Sequence, residues 1–141
     1  MRGSCLCAGV VYEVDELASE IKHCACTTCR KAHAAAFNTG AAVALSQFRW
    51  IQGEDLLTCY ESSPGIYRYF CSHCGSQLIK KVEGKDQLIL RVATLDDDPK
   101  QVAQSVIWTS HAVPWLAYDS SLKMFEKNQA ASLCELTLVP R

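Results

Sequence analysis

The chain lacks any long apolar run. Nothing in its 141 residues approaches the ~20 apolar positions that a membrane-crossing helix needs, so helical spans are excluded. It also lacks a basic stripe. Its only adjacent basic residues are Arg30-Lys31 and Lys80-Lys81, and the formal charge is −1. Nucleic-acid binding depends on concentrated positive charge, so no nucleic-acid partner is expected. No apolar stretch of roughly 7–15 residues follows Arg2, which argues against a secretory leader. Low-complexity tracts, long linkers and fixed-period repeats are absent too, which excludes a solenoid. What remains is ordinary globular material, 49% apolar and 21% charged. One domain over residues 1–141 is expected, large enough for its own core, in a reducing, cytoplasmic setting.

Cysteine, by contrast, is abundant. Seven of the nine lie in three clusters: Cys5-Leu6-Cys7, Cys24-Ala25-Cys26-Thr27-Thr28-Cys29 and Cys71-Ser72-His73-Cys74. Cysteines this close converge their sulfurs on one point and rarely pair as disulfides; in a reducing compartment they bind metal. Zinc takes four soft ligands tetrahedrally, usually as two local pairs. Cys71-Ser72-His73-Cys74-Gly75 is the strongest motif. Its turn aims two sulfurs and several N–H groups at one ion, and the glycine permits positive φ as the chain leaves. Cys5 and Cys7 supply only two ligands, and Cys71 and Cys74 are their natural complement. Such a site is structural, because metal-binding free energy contributes directly to folding.

Cys24, Cys26 and Cys29 remain as three ligands. Three leave a position open for water or substrate, which distinguishes catalytic from structural zinc. The alternative is a second structural site closed by a histidine or by Cys59. Cys29 falls in the first turn of an expected helix, and Arg30 and Lys31 follow it. That placement biases the cluster toward thiolate. Two Zn²⁺ ions are therefore the expected cofactors. With seven bound thiolates they would make the chain roughly three charges more negative.

The rest of the chain reads as short strands. Gly9-Val14 is a β-branched strand, and Glu20-His23 is an extended lead into the second cluster. Thr27–Ala35 reads as a helix capped by Thr27 or Thr28. Ala41-Leu45 is a buried strand. Ser62-Ser63-Pro64-Gly65 predicts a hairpin between Leu56-Glu61 and Ile66-Phe70. Glu83-Gly84-Lys85-Asp86 predicts another between Gln77-Val82 and Gln87-Ala93. Asp96-Asp97-Asp98-Pro99 reads as a loop leading into a helical turn, Val106-Thr109 as a strand, and Tyr118-Lys127 as ending in a short helix. His73 is expected to face solvent. His23 is a second-layer or surface residue, and His33 lies four positions after Cys29 on one helical face. Cys59 and Cys134 are isolated, and buried free thiols are the default for such residues.

Taken together, these residues resemble the glutathione-dependent formaldehyde-activating enzyme family. The resemblance rests on Gly3-Ser4-Cys5-Leu6-Cys7, Cys24-Ala25-Cys26-Thr27-Thr28-Cys29-Arg30-Lys31, Ala35-Ala36-Phe37, Phe48 with Trp50, and Gly53. It continues through Tyr60, Ser62-Ser63, Gly65, Arg68, Phe70-Cys71-Ser72-His73-Cys74-Gly75-Ser76, Pro114-Trp115 and Asp119. It spans about residues 3–125. It implies a mainly β, Mss4-like fold of several small antiparallel sheets tied by zinc, with one or two short helices. Cys5, Cys7, Cys71 and Cys74 would hold the structural zinc, and Cys24, Cys26 and Cys29 the second zinc.

The implied activity is condensation of glutathione with formaldehyde to S-hydroxymethylglutathione, formally a carbon–sulfur lyase run in reverse. A small thiol substrate would place its sulfur at the open metal position, lose its proton there and add to the carbonyl. Arg30 and Lys31 would attract a substrate carboxylate or tune the thiolates. Phe37, Trp50 and Trp115 are candidates to line a pocket, although core aromatics give the same pattern. His23, His33 and Glu54 are candidate bases. The fold also serves as a partner-binding scaffold, and centromere protein V carries a related domain. A non-catalytic zinc module is thus the alternative, and a closed four-ligand second site would point to it.

Overall fold

Short β-branched runs between glycine-bearing turns become eleven strands, with one α-helix, among the described residues. The computed structural model describes residues 1–129. In chain order the strands are β1 (Arg2–Ser4), β2 (Val11–Val14) and β3 (Lys22–Cys24), followed by helix α1 (Thr27–His33). Then come β4 (Asn38–Ala44), β5 (Phe48–Gln52), β6 (Leu57–Ser63), β7 (Ile66–Cys71), β8 (Gln77–Val82) and β9 (Gln87–Arg91). The last two are β10 (Ser105–Ile107) and β11 (Lys123–Met124). The chain divides into two compact units, Met1–Glu20 with Gly40–Gln101, and Ile21–Thr39 with Val102–Arg141.

In the first unit, β1, β2 and β5 make one antiparallel sheet in that order. From Gly40 onward β4 pairs with β9, and the order continues β8, β7, β6, each strand antiparallel to the next. Both predicted hairpins are present, with Gly65 (φ 73°) and Gly84 (φ 72°) in the left-handed conformation their turns need. Cross-strand register lines up Tyr69, Ile79 and Leu90. Ile79 and Leu90 join Val10, Tyr12, Val14, Val43, Leu78 and Leu88 in the buried core, and Cys5 and Cys71 belong to the same cluster. Each fully buried aliphatic side chain contributes about 1.5–3 kcal/mol.

Tyr12 is the centre of this core. Phe48 stacks on its ring at 5.4 Å and Trp50 meets it edge-on at 6.2 Å. Its hydroxyl lies 2.7 Å from Thr94 Oγ1, which itself donates to the Arg91 carbonyl at 2.8 Å. Gly3 packs against the ring so closely that a Cβ there would overlap it. Trp50 is therefore a core aromatic.

Asp96 and Asp97 do not lead into a helical turn. Arg2 N–H donates to Asp97 Oδ2 at 2.6 Å and Ser4 Oγ to Asp96 Oδ1 at 3.0 Å, while both aspartate N–H groups return to the Arg2 carbonyl. The carboxylates serve the edge of β1, and residues 101–104 are irregular.

In the second unit the order is β11, β10, β3, and both pairings are parallel. The hairpin signals that make the first unit antiparallel have no counterpart here, because β3 and β10 come from distant segments with no tight turn to reverse the chain. Trp108 ends β10 in the left-handed region (φ 61°), before a short 3₁₀ turn at Thr109–His111. The helix expected within Tyr118–Lys127 is absent. Asp119 Oδ1 accepts from Ser121 N–H at 2.8 Å and from its hydroxyl at 2.6 Å. Such local side-chain bonds compete with helix. Lys123 and Phe125 N–H groups instead donate to Gln104 and Val106. Among the described residues no helix is long and apolar enough to cross a membrane.

Candidate metal centres

Two cysteine groups gather their sulfurs, one in each unit. In the first unit Cys5 and Cys7 lie in the loop after β1, Cys71 closes β7, and Cys74 lies in the turn before β8. All four Sγ atoms are within 4.8 Å of one another. Cys5 and Cys7 are 3.5 Å apart, and Cys7 and Cys71 are 3.9 Å apart. Tetrahedral zinc with bonds of about 2.3 Å separates its sulfurs by about 3.8 Å, so this donor set fits that ion.

The two loops use the same backbone device. Cys5 N–H donates to the Val10 carbonyl and Cys71 N–H to the Ser76 carbonyl, each five residues on. Each loop passes through the left-handed region before it closes, at Ala8 (φ 57°) and Gly75 (φ 77°). Val10 N–H donates to Cys5 Sγ at 3.2 Å. Ser76 links the loops. Its Oγ accepts from Leu6 N–H at 2.9 Å and lies 3.4 Å from Cys74 Sγ. The Ser76 hydroxyl and then its N–H hold the Cys74 thiol down to about 5. Gly9 N–H also lowers Cys7, but the Cys5 sulfur and desolvation outweigh it and leave that thiol at about 11. Sequence reasoning missed Ser76 as a working residue; its position directly after Cys74-Gly75 was the available signal.

In the second unit Cys24 ends β3, Cys26 stands just before α1, and Cys29 lies in its first turn. Their Sγ atoms are also within 4.8 Å of one another. The helix cap is Cys26, whose sulfur accepts from Cys29 N–H at 3.3 Å. Thr27 and Thr28 lie inside the helix, because the sulfur already satisfies the N–H that a threonine cap would take. α1 ends at Ala34, which is left-handed (φ 47°, ψ 42°) and returns its N–H to the Arg30 carbonyl.

The expected bias toward thiolate is not what the surroundings impose. Hydrogen bonds from Cys26 and Cys29, then burial, push the Cys24 thiol well up. Cys26 is lowered by Cys24, but Cys29 and burial raise it more. For Cys26 the Cys29 N–H also lowers the thiol, but the neighbouring Cys29 sulfur and burial outweigh it. Among the described residues no further histidine, cysteine or carboxylate joins this group. His33 stands half-buried in the last turn of α1 and does not complete it.

The remaining candidates fall as follows. His23 is half-buried, with Nδ1 2.9 Å from Thr39 Oγ1 and its ring 4.3 Å from Phe37; burial lowers its pKa. Phe37 in turn meets Tyr118 at 5.6 Å. Arg30 is half-buried, whereas Lys31, Glu54, His73 and Cys59 are exposed. Cys59 is not the expected buried thiol, because β6 ends its strand order and Thr58–Glu61 are all exposed. Trp115 is 72% exposed and is no buried aromatic. Cys134 lies outside the described residues. Tyr118 was not a candidate in the sequence, where nothing local ties it to the cysteines.

A family model described as glutathione-dependent formaldehyde-activating enzyme matches residues 1–111. A crystal structure of a Rhodobacter sphaeroides protein is 27% identical and superposes with a TM-score of 0.60, covering 71% of this chain and 93% of that one. No curated protein matches the chain.

Proposed function

The chain belongs to the glutathione-dependent formaldehyde-activating enzyme family, and from that premise we propose that it joins a small thiol, glutathione above all, to formaldehyde. The product is S-hydroxymethylglutathione, and the reaction is formally a carbon–sulfur lyase run in the synthetic direction. The observation that carries this reading is the three-sulfur cluster with no fourth ligand among the described residues. A purely structural site needs four. Zinc bound there supplies the Lewis acidity that lets a thiol lose its proton near neutral pH.

Cys24, Cys26 and Cys29 would hold the metal, and three protein ligands would leave room for a substrate sulfur. In the condensation the thiol S–H bond breaks and an S–C bond forms. The C=O π pair moves to oxygen, which takes a proton, so no oxidant or reductant is needed. The Arg30 guanidinium adds the positive charge that favours anionic substrate groups near the cluster. Cys5, Cys7, Cys71 and Cys74 would hold a second zinc, which would fasten two loops of the first unit. Eight free cysteines among the described residues support a reducing, cytoplasmic setting.

Native mass spectrometry with and without glutathione tests the reading, beside Cys29→Ser. The expected result is two zincs in wild type, one in the variant, and a glutathione-bound species that needs Cys29. Two zincs in both proteins with no bound glutathione would refute it and leave a zinc-stabilised scaffold.

A further inference from the structure

Several buried polar atoms in the unit that carries the three-sulfur cluster have no hydrogen-bond partner among the described residues, and two of them, the Tyr118 hydroxyl and Arg30 Nε, belong to residues tied to the cluster. Buried polar groups are nearly always paired, so an orphan calls for an explanation such as an absent ligand. Arg30 directly follows Cys29 in α1. The Tyr118 ring rests on Phe37, and Phe37 rests on His23, the residue before Cys24. Burial raises the Tyr118 hydroxyl, the Arg30 guanidinium opposes that, and Cys24 adds to it. Through these ring contacts the hydroxyl is tied to the segment that carries Cys24, as Arg30 is tied to Cys29.

We propose that the Tyr118 hydroxyl and Arg30 Nε–H together hold the oxygen of the thiol adduct at this centre. The preferred ligands are then small thiols that carry an oxygen close to the sulfur. This rests on the thiol–carbonyl reading of the same site. As the C=O π pair moves to oxygen, Tyr118 donates its O–H to that oxygen and keeps its own proton; the thiol proton leaves to solvent, and solvent supplies the one that completes the product hydroxyl. Donors aimed at developing negative charge typically contribute about 10²–10³-fold in rate. Tyr118 and Arg30 are far apart in sequence, and no motif links them.

The test uses cobalt(II)-loaded protein, whose difference spectrum reports a thiol entering the three-sulfur site. It is titrated with 2-mercaptoethanol and with ethanethiol, which differ by one hydroxyl. Wild type is expected to bind 2-mercaptoethanol about tenfold tighter, the effect of one well-placed hydrogen bond. Tyr118→Phe, which leaves Arg30 Nε–H as the remaining donor, should cut that ratio to about threefold or less while leaving ethanethiol affinity and cobalt stoichiometry unchanged. Equal affinities in wild type overturn the proposal whether or not the variant folds, and so does a Tyr118→Phe protein that keeps the full ratio. Turnover of glutathione and formaldehyde is followed separately. A wild type that is inactive there yet keeps the oxygen preference sinks the formaldehyde reading and supports this inference.

Discussion

Releasing the metal from the four-sulfur centre should cost more stability than releasing it from the three-sulfur centre. The double variant Cys71→Ser/Cys74→Ser removes every ligand on one of its two loops. Those loops are far apart in the chain, since Cys7 and Cys71 are separated by 64 residues. A cross-link that closes such a loop restricts the unfolded chain by about 4 kcal/mol. The second cluster spans only Cys24 to Cys29, and closing so short a loop is worth about 2 kcal/mol by the same relation. Cys71 and Cys29 are both buried, so a serine hydroxyl costs a similar amount at each and largely cancels in the comparison. For a chain of this size these differences convert to a fall in Tm of roughly 15 °C for the first pair and roughly 8 °C for Cys24→Ser/Cys29→Ser. Melts by circular dichroism, with reductant and saturating zinc, would measure both, alongside zinc content by mass spectrometry. The reasoning fails if the Cys24/Cys29 variant loses as much as the Cys71/Cys74 variant. It fails equally if Cys71→Ser/Cys74→Ser binds one zinc fewer yet melts with wild type.

Ala34→Gly should stabilise the protein by about 0.5–1 kcal/mol, because the residue sits in the left-handed region, where a Cβ is strained. A Tm that stays put or falls in calorimetry would count against this. Tyr12→Phe should destabilise at pH 8 by about 1 kcal/mol through the lost hydroxyl bond, with the deficit shrinking at high pH. Burial raises the Tyr12 hydroxyl first, Thr94 lowers it and Asp96 raises it, for a net increase. Its neutral form is thus favoured in the fold. The associated stability is fully present below the unfolded value of about 10 and is lost as pH rises toward the folded value. Urea titrations at several pH values should show the two proteins converging above pH ~10; a constant gap would contradict the assignment.

Much of the fold was legible because it is local. Ser62–Gly65 and Glu83–Asp86 reverse the chain within a few residues, so the hairpins around β6–β7 and β8–β9 follow from turn chemistry. Helix α1 was legible too, but its cap was not. Threonine is the usual cap residue, and a sulfur took that role because Cys26 was already held beside Cys29. Asp96-Asp97-Asp98 misled as a helix start because the Asp96 and Asp97 carboxylates answer to β1, more than ninety positions away, and Asp98 binds Lys100. Tyr118–Lys127 misled because Asp119 bonds its own neighbours and β11 finds a partner in β10.

By itself the sequence determined which cysteines gather in the two groups, and the family. Where the local backbone turns tightly, as from Cys71 to Cys74, sulfurs this close in the chain are brought together by the turn itself. The sequence also determined the hairpins, by the same short-range sterics. Tertiary packing alone decided that Ser76 would bridge the Cys5 and Cys74 loops and that β3 and β10 would pair in parallel. It also buried the Tyr118 hydroxyl and Arg30 Nε without partners in the unit that carries the cluster. Such contacts join segments far apart in the chain, and their geometry follows from how whole elements bury apolar surface, which no local pattern of residues encodes.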